Sequence, residues 1–176
     1  MKKITVLLIV LLVISFQLNA KVLIVKDGKP VGRIVLTTSN AEDKQAADLF
    51  QDFTKRISQV VLPIVETNKI VENDIVIGNG TPNKNLFSNA LAEDGFRIKI
   101  IDNKLHIVSG GGYGSVYAVV TLLERYMGVS YWGEKEYSLT PGETIMLQDI
   151  DVLENPTFRY RQSQNYAMRI DPVYKL

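Results

Sequence analysis

Gly110-Gly111-Gly112-Tyr113-Gly114 follows an extended segment and opens a helix, the setting in which backbone amides can cradle a phosphate at a helix N-terminus. The match to a nucleotide loop is incomplete. Neither register supplies the third glycine of GxGxxG, and no Gly-Lys-Ser/Thr is present. The preceding segment alternates polar with apolar residues, whereas a central parallel strand is apolar on both faces. Glu134, twenty residues beyond Gly114, is one acid at a dinucleotide-like spacing. A tight strand-to-helix turn is the plainer use of these glycines.

His106 is the only histidine, so neither a histidine-based triad nor a multi-histidine metal site can be assembled within the chain. Glu134 with Glu136, or Asp149 with Asp151, could in principle divide acid and base duties in glycoside cleavage. Nothing in the flanking sequence places either pair in a pocket, and solvated loops are expected. Tyr131 and Trp132 could stack on a sugar ring; aromatic residues after a buried helix also serve as core or interface residues. No catalytic residue, metal ligand set or cofactor is assigned from these patterns.

The elements around these residues read as α+β. Val116, Val119, Val120, Leu123 and Met127 share one helical face, Thr121, Glu124 and Arg125 lie opposite, and Gly128 supplies a left-handed stop. A second helix is expected to start at a Ser39/Glu42 capping box and end near Ser58, burying Ala46, Leu49, Phe50, Phe53 and Ile57. Its other face, including Asp43, Lys44, Asp48, Asp52, Lys55 and Arg56, is expected in water.

Residues 22–25 and 31–36 flank an Asp-Gly turn and predict an N-terminal hairpin or bent edge. Residues 62–65 and 74–77 read as short strands, and a loop or short helix follows through 83–92. Around Asp102-Asn103, Ile100 should face Leu105 and Ile98 should face Ile107, with Lys99 and His106 paired on a wet face. Residues 129–132 and 144–150 add two extended segments. A small antiparallel or mixed β-sheet with two helices packed on one face buries these surfaces most simply.

Composition bounds the rest. The chain has 176 residues, 46% hydrophobic and 22% charged, enough for a core of ordinary size. Lys2 and Lys3 precede an apolar run of about 11 residues with a small residue at Ala20, the pattern of a secretory signal peptide over 1–20 and well short of the roughly 20 residues of a spanning helix. Its removal takes two lysines from the 20 basic residues and leaves 18 against 19 acidic ones. That balance offers no electrostatic reason to expect nucleic acid or an anionic membrane as partner. Export to the periplasm or beyond is expected, and stability must come from packing, since there is no cysteine.

The segments DGFRIKI, NKLHIVSGGGYGSVYAVVTLLERYMGVSYW and NPTFRYR, in this order of elements, resemble the N-terminal domain found ahead of the catalytic barrel in α-glucuronidases and related secreted bacterial proteins. They are also similar to the second domain of bacterial β-hexosaminidases. The resemblance runs from about Val22 to Arg161 and is most specific from Gly110 to Trp132. It implies a non-catalytic accessory domain over 21–153, a partner barrel in the same protein that carries the catalytic carboxylates, and the truncated start of that barrel over 154–176. It also implies carbohydrate as the parent's substrate, with Arg161 in the lead-in as a residue near the sugar.

Overall fold

The computed structural model describes residues 20–38, 40–80, 91–133 and 136–157. The leader expected over 1–20, apart from Ala20, lies outside them, as do Ser39, Glu134, Arg161 and most of the expected 83–92 loop.

Strand β1 (Lys21–Lys26) turns at Asp27-Gly28 into the two-residue β2 (Lys29–Pro30), so the Asp-Gly hairpin forms but is far shorter than expected. The apolar run after it does not pair back. The amides of Val31 and Gly32 both reach Ile24 O at 3.0 Å, and the chain crosses to another sheet as β3 (Ile34–Leu36). All three β3 residues are buried, a requirement met by a central parallel strand and not by a hairpin edge.

β3 runs parallel to β4 (Ile64–Glu66) on one side and β5 (Ile75–Ile77) on the other. β5 is parallel to β7 (Lys104–Ser109), which pairs antiparallel with β6 (Phe96–Ile101). With β11 (Asp151–Glu154) on the outer edge of β6, the mixed sheet reads β11-β6-β7-β5-β3-β4.

Two helices, α1 (Ala41–Ser58) and α2 (Gly114–Tyr126), cover one face of this sheet and pack on each other. Phe50, Phe53, Ile57, Val116, Val119 and Leu123 meet Ile34, Leu36, Ile75, Ile77, Leu105 and Ile107 in a single core; Leu49 is only half-buried. Each fully buried side chain of this size contributes about 1.5–3 kcal/mol, which is what holds the layers together. The fold class expected from the periodicities is the one observed.

The β6–β7 hairpin has the expected register: Ile100 opposite Leu105, Ile98 opposite Ile107, and Lys99 opposite His106. Asp102 and Asn103 both have positive φ, +49° and +56°, as a two-residue turn matching the strand twist requires. The face away from the helices, however, is not uniformly wet. Val35, Val76 and His106 form a row across three adjacent strands at 0%, 1% and 3% exposure.

Three further expectations change. Helix α1 is capped by Asn40, whose side-chain oxygen accepts the Asp43 amide at 2.6 Å, so the cap lies one residue later than a Ser39 box would place it. The extended run 144–150 divides: β10 (Ile145–Gln148) pairs with β1, and the chain pivots at Asp149 (φ +55°) before β11 joins β6. The strand after α2 is β8 (Ser130–Gly133), which among the described residues pairs only with β9 (Glu136–Ser138), in a separate hairpin against α1.

Candidate functional site

The glycine loop is built as a turn that receives an anion, and the anion is the protein's own. Asp94, at φ +64° in the loop before β6, directs its carboxylate to the Tyr113 amide at 2.8 Å, at the N-terminus of α2. The backbones interlock as well, through Asp94 N to Gly111 O at 3.2 Å and Gly110 N to Gly95 O at 2.9 Å. A Cβ at Gly112 (φ +55°) would collide with the Asp94 carboxylate, and one at Gly110 would collide with Ala92 O. Helix N-termini favour negative charge, and Asp94 meets that preference from another loop. The strand before the loop keeps its expected antiparallel pairing with β6 but is also parallel to β5 and buried on both faces, contrary to the wet face expected for it. Asp94 at the helix N-terminus and the missing motif residues, not the strand, speak against a nucleotide loop.

A second polar cluster lies beside it, at the carboxyl ends of β3, β5 and β7. Asp43, expected in water, is 2% exposed and joins the first turns of both helices. Its carboxylate accepts the hydroxyls of Thr38 and Ser115 and, at 2.8 Å, the Asn40 side-chain amide. Ser115 Oγ also contacts Ser109 Oγ at 3.1 Å, and Asn79 bonds both backbone groups of Ser109. Ligands in parallel α/β sheets gather at such strand ends. A serine beside a carboxylate lacks the intervening base that would activate it, and these donors already occupy the Asp43 oxygens. The cluster is a buried joint. Its signal was present in the spacing, since Asp43, Ala46, Ala47 and Phe50 share one helical face.

Two further acids, one buried and one exposed, are equally committed. Asp74, 1% exposed, takes Arg33 in a fork at 2.9 and 3.2 Å and the Val71 amide at 2.7 Å. Asp151 takes Arg97 and Lys99, each at 2.7 Å; partial burial works to raise its pKa, but these two donors outweigh it and hold the carboxyl below its ordinary range. Asp149 is exposed at the pivot, so the Asp149/Asp151 pair does not converge on a cleft. Among the described residues, no three metal-binding side chains come together. His106, expected on a wet face, is buried in the sheet; desolvation, with Lys104 adding to it, lowers its pKa to about 4.

Tyr131 and Trp132 are separated by the strand itself. Tyr131 turns toward α1, edge-on to Phe53 at 5.9 Å, while its cross-strand partner Tyr137 meets Phe53 at 5.4 Å. Arg56 lies over the Tyr137 ring at 5.1 Å and donates to the Tyr137 hydroxyl. Trp132 points the other way and is 74% exposed, with its indole N–H donating to Ser138 Oγ at 3.1 Å. They cannot form one stacking platform. Of the two, it is Trp132 that presents its ring to solvent.

Neither a family model nor a curated protein sequence matches this chain. Solved structures do share its fold. The GH20 β-N-acetylhexosaminidase from Streptomyces coelicolor A3(2) aligns with a TM-score of 0.55 and 16% identity, over 81% of this chain and 25% of that one. An inactive mutant of the GH20 exo-β-N-acetylglucosaminidase from Vibrio harveyi aligns with a TM-score of 0.52 and 17% identity, over 89% and 22%. A GH115 4-O-methyl-α-glucuronidase with specificity for decorated arabinogalactans gives 0.52 and 16%, over 74% and 18%. The chain spans a quarter or less of the length of each of these enzymes. Its domain fold is thus one that occurs in glycoside hydrolase chains.

Proposed function

We propose that this chain is a non-catalytic accessory domain of an exported carbohydrate-active protein, standing ahead of a catalytic barrel to which residues 154–176 lead. The observation that carries this reading is the fold match, which takes in most of this chain and at most a quarter of each enzyme chain. The chemistry agrees. Asp43, Asp74, Asp94 and Asp151 all hold structural donors, and glycoside cleavage needs two carboxyl groups free to meet one bond. Arg161, in the lead-in, is assigned to the sugar side of the following domain.

The test is to read the gene beyond codon 176 and to assay the purified chain on aryl glycosides and glucuronosyl oligosaccharides. A downstream barrel with paired carboxylates, and no turnover by this chain alone, is expected. Turnover by the isolated chain would overturn the accessory reading.

One observation favours a second reading, a glycan-binding module. Trp132 is exposed and tethered, on a hairpin anchored to α1 by Phe53, Tyr131 and Tyr137. A fixed exposed ring can stack on the C–H face of a pyranose. As the chain's single tryptophan it is also the reporter: saturable quenching of its fluorescence by oligosaccharides, weakened in Ser138→Ala, together with calorimetric binding that Trp132→Ala abolishes, would favour this module over the accessory role.

A further inference from the structure

β5 runs out into Gly78-Asn79-Gly80, and Asn79-Gly80 is the chain's single Asn-Gly pair. An asparagine followed by glycine is chemically labile, because a residue with no side chain leaves its amide nitrogen free to swing onto the asparagine carboxamide. Both residues are exposed, so water is at hand. Exposure alone would leave this turn open to reaction.

The strand order sets the two reacting groups apart. β5 lies between β7 and β3. On the β7 side, Asn79 Nδ2 donates to Ser109 O at 2.8 Å and Asn79 Oδ1 accepts the Ser109 amide at 3.2 Å, so the carboxamide is held at both of its polar atoms. On the β3 side, the Gly80 amide donates to Thr37 Oγ1 at 3.2 Å, and that hydroxyl donates onward to Ile77 O at 3.2 Å. The electrophile is bound to one neighbouring strand and the nucleophile to the end of the other. A Cβ at Gly80 would lie 2.5 Å from Thr37 O, so the turn has no slack in which to bring them together.

We propose that Asn79 is a site of spontaneous deamidation gated by folding, closed while these strand ends are paired and open when they separate. In the open chain the Gly80 nitrogen attacks Asn79 Cγ: a C–N bond forms, the bond to Nδ2 breaks, and ammonia leaves with the proton that the Gly80 amide gives up. Water then opens the cyclic imide at either carbonyl, giving aspartate or isoaspartate. Neither product restores the joint. An aspartate carboxylate has no proton to donate to Ser109 O and sets a negative charge against that carbonyl, in a network that continues through Ser109 Oγ and Ser115 to Asp43. Isoaspartate adds a main-chain atom where Gly80 already meets Thr37. A chain that reacts while open therefore refolds to a weaker state. The inference stands independently of the proposed function.

The test follows Asn79 by peptide mass spectrometry in the full 176-residue chain, native and unfolded in guanidinium chloride, beside a synthetic peptide of residues 76–82 in the same denaturant. The unfolded chain and the peptide should react at one rate, and the native chain roughly tenfold or more slowly, in proportion to how rarely the strand ends open. Thr37→Val frees the Gly80 amide, and should speed the native reaction several-fold while leaving the unfolded rate unchanged. Asn79→Asp has the product in place from the start, and should lower the urea midpoint by about 1 M. Native and unfolded chains that react alike would overturn the gate, as would an unchanged native rate in a folded Thr37→Val chain. Should that variant not fold, the parent's ratio of native to unfolded rates still decides. A parental urea midpoint for Asn79→Asp would overturn the claim that the joint rejects the product.

Discussion

The Asp43 carboxylate in the first turn of α1 accepts the Ser115 hydroxyl in the first turn of α2, although 72 residues separate them in sequence. This single buried acid registers the two helices at the end where both begin. Asp43→Ala should cost about 2–4 kcal/mol, because the hydroxyls of Thr38 and Ser115 lose their acceptor without gaining water. Ser115→Ala should cost about 1 kcal/mol, since Thr38 and Asn40 still serve the carboxylate. Urea denaturation of both variants and of the double variant checks this; additive losses would show the two residues uncoupled.

Asp94 caps α2 across a loop, and Gly112 leaves the space for it. Asp94→Ala should lower stability by about 1 kcal/mol through the lost cap. Gly112→Ala should cost more, since it combines positive φ with a collision against that carboxylate. In Asp94→Ala the collision is gone, so adding Gly112→Ala to it should cost less than Gly112→Ala costs alone. Thermal unfolding of the three variants measures the difference.

His106 couples the sheet to pH. Its folded pKa of about 4 lies below the ordinary value of 6.5, so the unfolded chain binds the proton more readily. Stability from this group is therefore complete above about pH 6.5 and declines as pH falls toward 4, by on the order of 2–3 kcal/mol in all. Burial and Lys104 nearby disfavour the protonated form, while Asp102 works the other way. Denaturation midpoints between pH 7 and 4.5 should show this slope, and His106→Gln should flatten it.

Arg33 and Asp74 clip the chain where β3 and β5 begin. Arg33→Ala should destabilise by about 3–5 kcal/mol, because it strands a buried carboxylate. Arg33→Lys should recover only part, having a point charge where the fork made two bonds. Chemical denaturation at neutral pH distinguishes the two.

Much of the fold was legible because local periodicity wrote it. The helical face of Val116, Val119 and Leu123 and the strand alternation of residues 96–107 each reflect side chains a few positions apart, and the helices, hairpin register and α+β class followed from them. What sequence by itself determined ends where partners are distant in the chain. Asp43 reads as a solvated helix acid until Ser115 and Thr38 arrive from other elements to offer their hydroxyls. His106 reads as wet until Val76 and Lys99 flank it in neighbouring strands. Residues 31–36 read as half of a hairpin because the turn before them is local, whereas the parallel neighbours that bury Ile34, Val35 and Leu36 come from residues 64–66 and 75–77. Tyr131 and Trp132 read as one aromatic pair, and only the placement of α1 decided which ring packs inward and which faces water. A burial pattern is a property of one segment. The satisfaction of a buried charge is a property of several, and only tertiary structure brings them together.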